Sequence, residues 1–195
     1  MKKSITKEEI NEMPRSHFNG EMHVIDRPEQ VEQAVTYLQQ FNAIGFDTEA
    51  KPSFKKGKSN GIALLQVASD EHAFLFRLNI LGLPPEVAAM MANEDILKIG
   101  VGIKDDLRGL KRLRPFNPAS FIDLQDYVQY FGIENYSLRK LSAIVLNMRI
   151  SKRQQLSNWE SAELKEGQIR YAATDAWAPL KIYQSLKNLN GHSIS

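Results

Sequence analysis

Four carboxylates and one phenol carry the chemistry this chain can do. Asp47 and Glu49 lie in Gly45-Phe46-Asp47-Thr48-Glu49, Asp106 lies between Asp105 and Leu107, and Tyr171 and Asp175 lie in Tyr171-Ala172-Ala173-Thr174-Asp175. Carboxylates gathered at one point repel one another, so a converging set needs divalent cations to hold it. Such a set suits hard ions with oxygen shells, meaning Mg²⁺ or Mn²⁺, and two-ion hydrolysis of a phosphodiester.

Spacing supports convergence. Residues two apart on a strand face one side, about 6.6 Å apart by rise, so Asp47 and Glu49 project together. Tyr171 and Asp175 are four apart and share a helix face. Asp105 and Asp106 are adjacent, diverge on a helix, and cannot both belong to one site. Each segment taken alone has a plainer meaning. A D-x-E string ends many strands, Tyr171 can be a packing residue, and Asp175 a solvated charge.

The elements that position these groups are legible in outline. Residues 29–41 carry apolar positions at helix spacing. Residues 43–47, 62–68, 73–78, 96–101 and 120–124 are short apolar runs that predict five strands. The second and third are separated by Ser69-Asp70-Glu71, which predicts a hairpin. Pro84 or Pro85 opens a helix to residue 92, and a helix from Lys104 stops before Pro115. Helices are expected over 124–131, 138–146 and 168–189, with a short one at 161–163 leading into a turn at Gly167. Residues 1–28, with breakers at Pro14, Gly20 and Pro28, predict an extended arm with one short helix at 7–13. The domain expected is 29–190, with residues 1–28 an N-terminal extension and 191–195 a tail. Strands followed by alternating strands and helices support an α/β domain.

Composition narrows the class. The chain has 195 residues, 43% hydrophobic and 25% charged, as in an ordinary globular protein. There is no cysteine, which excludes disulfides and thiolate chemistry. No apolar stretch is long enough to span a bilayer, and the charged start is not a signal peptide. The expected location is cytoplasmic, in the cytosol or nucleoid, with no membrane partner. Net charge is only +2, but its distribution is uneven. Lys51, Lys55, Lys56 and Lys58 form one basic cluster, Arg108, Lys111, Arg112 and Arg114 a second, and Lys152 with Arg153 a third. Three basic clusters around an acidic centre favour a polyanion. None of His17, His23, His72 and His192 has ligand spacing to another.

The three acidic segments, in their order, resemble the exonuclease motifs of the DEDD superfamily of 3′→5′ exonucleases. The tyrosine four residues before the last aspartate resembles its DEDDy branch. Ala63-Leu64-Leu65-Gln66 and Ser157-Asn158-Trp159 extend the resemblance, which covers about residues 44–186 and includes the exonuclease domain of the Werner syndrome helicase and ribonuclease D. It implies a ribonuclease-H-like α/β fold with a central mixed five-stranded sheet. The family pattern selects Asp106, directly before Leu107, and leaves Asp105 as a helix N-terminal charge. The resemblance further implies that Asp47 bridges two ions. Glu49 and Asp175 complete the one that activates water, Asp106 holds the second largely through waters, and Tyr171 orients the attacking water. Position 170 is arginine, not the histidine of the alternative branch.

The implied activity removes nucleoside 5′-monophosphates from the 3′ end of DNA or RNA. The competing class is a nucleic-acid-binding domain of the same fold without turnover; the presence of all five catalytic positions favours the enzyme. Thr48, Lys51, Phe54, Lys55, Lys56, Lys58 and Arg108 are the expected substrate contacts, Phe54 as a stacking or wedging group. The chain ends soon after the last motif, so a free-standing catalytic domain is expected.

Overall fold

The structure, a computed structural model, describes residues 1–53 and 60–191. In chain order its elements are α1 (Lys7–Glu12), β1 (Glu21–Ile25), α2 (Val31–Leu38), β2 (Ala43–Ala50), β3 (Ile62–Ala68), β4 (His72–Arg77) and α3 (Leu78–Leu81). There follow α4 (Pro85–Ala92), β5 (Leu97–Gly100), α5 (Lys104–Leu113), β6 (Phe121–Asp123), α6 (Leu124–Tyr127), α7 (Leu138–Leu146) and α8 (Glu166–Gly191). The strands form one mixed sheet in the order β1-β4-β3-β2-β5-β6.

The expected hairpin is present: β3 and β4 pair antiparallel, with Ser69 Oγ accepting from the His72 amide at 3.1 Å to close the turn. β2 pairs antiparallel with β3 and parallel with β5, and β5 parallel with β6. β2 therefore lies inside the sheet. Its apolar run, Ile44 and Phe46, is fully buried.

The sheet has six strands, not the five expected. The sixth, β1, comes from the segment read as an extended arm, and pairs parallel with β4. Only Ile25 of β1 is buried, because it is an edge strand. An edge strand half open to solvent carries no apolar run, so hydrophobic pattern does not announce it. A second correction concerns residues 161–163, which form no helix. Arg77, itself buried, holds this stretch in turns by donating from Nη2 to the Ser161 carbonyl at 2.5 Å. Gly167 falls in the first turn of α8 and not before it.

Period two on the strands separates two cores. One face presents Ile44, Phe46, Leu65, Val67 and Phe76 to α2, α4 and α5. The other presents Leu64, Ala68 and Leu75 to the alanines of α8, and Ile99 to α7 and the second half of α8. α1 opens with a capping box in which Thr6 and Glu9 satisfy each other's backbone amides. Ile5 and Ile10 anchor the N-terminal segment on Ala143 of α7. No helix among the described residues is long and apolar enough to cross a membrane.

Candidate active site

Gly45 sets the position of the acids. A Cβ there would lie 1.9 Å from the Ala176 carbonyl oxygen, so the α8 backbone rests directly on β2. Ala172, Ala173 and Ala176 are fully buried in that contact, and larger side chains would hold the helix off. Gly45, Asp47 and Glu49 share a strand face, so Asp175, one residue before Ala176, comes down beside the two acids. Carboxylate oxygens of Asp47, Glu49 and Asp175 lie within 4.8 Å of one another. Gln66 stands opposite Asp47 in the β2–β3 register, fully buried, with neither amide atom paired to protein.

Asp106 approaches from the other side. Thr48 points away from its neighbours on β2, and its hydroxyl donates to the Asp106 carboxylate. The turn that starts α5 is fixed by Asp123, whose two oxygens accept from the Gly102 amide at 2.9 Å and the Ile103 amide at 3.1 Å. Gly102 has φ +71°, the left-handed region that glycine takes without strain. Asp105 diverges as expected: it is exposed and paired with Arg108 at 2.7 Å. The structure thus groups three acids tightly and sets Asp106 on the opposite flank.

Tyr171 lies one turn before Asp175 on α8, and its phenol acts electrostatically on that carboxyl. Its ring lies 6.0 Å from that of Trp159, which is fully buried. Trp159 limits where the phenol can go.

Among the described residues, no cation forms an ion pair with Asp47, Glu49, Asp106 or Asp175. Burial first, then the charges of Asp175, Asp106 and Glu49, pushes the Asp47 carboxyl well above the usual range. Burial, then Asp175 and Asp106, pushes Glu49 up to about 8. Burial pushes Asp175 up to about 7, against the lowering effects of the Tyr171 phenol and Lys152. Burial also raises Asp106, with the Thr48 hydroxyl opposing it. The Tyr171 phenol is pushed up by burial and then by Asp175 and Glu49. At neutral pH the metal-free site therefore holds protons that divalent cations would displace. Four oxygen-only side chains in a desolvated cleft are the donor set that Mg²⁺ or Mn²⁺ takes. The residues present fit such ions, with Asp47, Glu49 and Asp175 as the compact group.

The cleft over the acids has a volume of about 310 Å³, and Thr48, Tyr171 and Lys152 line it beside them. Lys152 belongs to a basic cluster noted in the sequence, but only the fold brings it to Asp175. Of the other expected contacts, Lys51 forms an ion pair with Glu160 at 3.2 Å. Phe54, Lys55, Lys56 and Lys58 lie outside the described residues. Asp123 was missed altogether; its signal, an acid closing a strand, is too common to single it out.

One expectation about histidines is overturned. The parallel β1–β4 register sets Glu21 opposite His72, with His23 two residues on. His23 Nε2 lies 2.9 Å from His72 Nδ1, the rings stack, and the Glu21 carboxylate is 3.7 and 3.9 Å from those nitrogens. Linear spacing could not show this, because strand pairing joins residues 49 apart. Burial, then His72, holds the His23 imidazole below its ordinary range.

Known proteins resemble this chain in sequence and in fold. A family model for 3′-5′ exonuclease matches residues 22–190. The chain is 36% identical over 154 residues to the mouse bifunctional 3′-5′ exonuclease/ATP-dependent helicase WRN, covering 76% of this chain and 11% of that protein. It is 33% identical over 156 residues to ribonuclease D of Haemophilus influenzae, covering 76% of this chain and 37% of that one. The chain thus spans only a minor part of either relative's length. Among solved structures, the Nibbler EXO domain of Aedes aegypti superimposes with a TM-score of 0.77 at 26% identity, over 88% of this chain and 89% of that one. The ribonuclease-H-like α/β sheet, the acids it gathers and a family match over most of its length lead to one conclusion: the chain belongs to the 3′-5′ exonuclease family.

Proposed function

We propose that the chain is a two-metal-ion 3′→5′ exonuclease that hydrolyses DNA or RNA from its 3′ end and releases nucleoside 5′-monophosphates. The observation that carries this reading is the meeting of Asp47, Glu49 and Asp175 within 4.8 Å, with Tyr171 lining the same cleft. Asp47, between the other acids, would share two Mg²⁺ or Mn²⁺ ions. Glu49 and Asp175 would complete one ion's shell, and Asp106 would reach the other through water. When bound, the ions sharpen the attacking water and stabilise the leaving 3′ oxygen.

The chain's own groups do the rest. The protonated Tyr171 phenol donates a hydrogen bond and can hold the water in line with the scissile P–O3′ bond. Thr48 orients Asp106, and Trp159 keeps the phenol in place. Water adds to phosphorus, the P–O3′ bond breaks, and the shortened strand keeps a 3′-hydroxyl. The phosphate leaves on the 5′ carbon of the released nucleoside. The family's relatives named above support the reaction class; the choice between DNA and RNA is left to experiment.

The test is digestion of matched DNA and RNA oligonucleotides labelled at the 5′ end, in Mg²⁺, in Mn²⁺ and in EDTA. The expected result is a ladder shortening from the 3′ end, with mononucleotide product, in metal only. Uncut oligonucleotide in both metals would replace the enzyme with a binding domain.

A further inference from the structure

A cavity of about 670 Å³ adjoins the acid cleft, more than twice its 310 Å³ volume. The two share Arg139, Ile150, Ser151, Lys152 and Tyr171 as a common wall. Besides Arg170, five cations line the larger one: Arg15, Arg139, Arg149, Lys152 and Arg153. Among the described residues none of the five has a carboxylate within 4.0 Å. Arg170, also in the wall, is neutralised by Glu166 at 2.7 Å.

Two of these arginines are fixed and incompletely bonded. Arg139 Nη2 donates to the Asn11 side chain at 2.9 Å, and Arg149 Nη1 to the Asn11 carbonyl at 2.8 Å. Both Nε atoms are buried without an acceptor. Leaving a buried donor unpaired is costly, so a retained pair of them calls for an acceptor that binds there. The wall itself is tertiary. The Arg149 amide donates to the Pro14 carbonyl at 2.9 Å, and the Ser16 amide to the Arg149 carbonyl at 3.0 Å. The Phe18 amide then donates to Thr174 on α8 at 3.0 Å, and Phe18 is buried. This ladder places Arg15 across from Arg149.

We infer that this cavity binds the sugar–phosphate backbone of the strand on the 5′ side of the scissile bond, with the N-terminal segment as one wall. The inference rests on the exonuclease reading for the strand's direction: the 3′-terminal nucleotide takes the smaller cleft, so the chain behind it runs into the larger one. Five cations spread round one cavity are more than a single phosphate can meet, whereas successive phosphodiesters can meet them in turn. The guanidiniums, planar and multiply donating, suit phosphate oxygens.

The experiment is equilibrium binding of a fluorescent single-stranded 12-mer, by anisotropy in EDTA across a range of NaCl, so that turnover plays no part. The protein is wild type or the Arg15→Gln/Arg153→Gln double variant, whose altered side chains are at the surface. Each lost phosphate contact lowers the salt slope by about 0.7 for a single strand, so the double variant should lose about 1.4. Neutral methylphosphonate linkages at the second to fourth positions from the 3′ end should weaken binding to wild type more than to the variant. An unchanged slope in a double variant that melts like wild type overturns the inference. So does equal weakening by methylphosphonates in both proteins. If the double variant melts early, each single variant is compared in its place, with the same two outcomes. A wild type that binds in this pattern but cuts nothing in Mg²⁺ or Mn²⁺ sinks the exonuclease reading and leaves the cavity. One that cuts, with affinity indifferent to Arg15 and Arg153, sinks the cavity alone.

Discussion

Gly45 on β2 lies directly under Ala176 of α8, with no room for a methyl group between them. This single contact links the strand of Asp47 to the helix of Asp175. Gly45→Ala should force α8 away from the sheet, lowering stability by about 1–3 kcal/mol or more. Activity should fall further than stability, since the three-acid group loosens. Gly61→Ala, where an added Cβ meets nothing within 4 Å, is the control and should melt like wild type. Thermal melting and oligonucleotide digestion of both variants check this. Normal turnover in the Gly45 variant would show that the approach of α8 is not needed.

Asp47→Ala and Asp175→Ala should each abolish turnover. Neither should lower the melting temperature of the metal-free protein, because removing one carboxylate relieves repulsion among the rest. Normal cleavage by either purified variant would remove these residues from the site.

The metal-free protein should lose stability as pH rises. Glu49 titrates near 4.5 when unperturbed and at about 8 in the fold, and Asp175 near 3.8 and at about 7. Their folded values are raised, so the fold binds protons that the unfolded chain has released. The stabilisation is complete below about pH 4 and is lost as pH climbs through about 7 to 8. The midpoint should fall by about 2–4 °C for each kcal/mol lost in a chain of this size. Mg²⁺ should raise the midpoint more at pH 8 than at pH 6, since fewer protons must leave. Calorimetric scans in EDTA and in Mg²⁺ test both statements. A metal-free midpoint that rises through this window contradicts the electrostatic account.

Asp106→Asn should reduce the rate strongly, and Asp105→Asn should have little effect. The first residue takes the Thr48 hydroxyl, and the second faces solvent with Arg108. Thr48→Val should fall between them, because Asp106 remains but loses its fixed orientation. Rates at saturating metal rank the three, and a dead Asp105 variant would shift the site by one residue.

Tyr171→Phe should slow turnover by roughly 10²-fold or more while leaving Mn²⁺ binding near wild type. The phenol has one proton, which it can donate to the attacking water, and general acid–base or positioning groups contribute on this scale. Titration calorimetry with Mn²⁺ separates the roles, and lost metal affinity would make the phenol part of the metal site.

Local chemistry determined much of this protein. The acids at 47, 49, 106 and 175 and the tyrosine at 171 could be named from residue type, spacing and family pattern. β3, α7 and the hairpin turn could be placed because burial imposes a period and turns need particular residues. Period two on β2 and a four-residue step on α8 even state which acids share a face. What no linear pattern contains is pairing across the sheet or packing between distant segments. β1 was hidden because an edge strand need not be apolar, and His23 met His72 only through its register. The cationic cavity joins residue 15 to residue 149 through backbone hydrogen bonds that any side chains could make. Hydrogen bonding between main chains is blind to sequence. The tertiary structure alone therefore decided that the N-terminal segment forms a wall beside the acids.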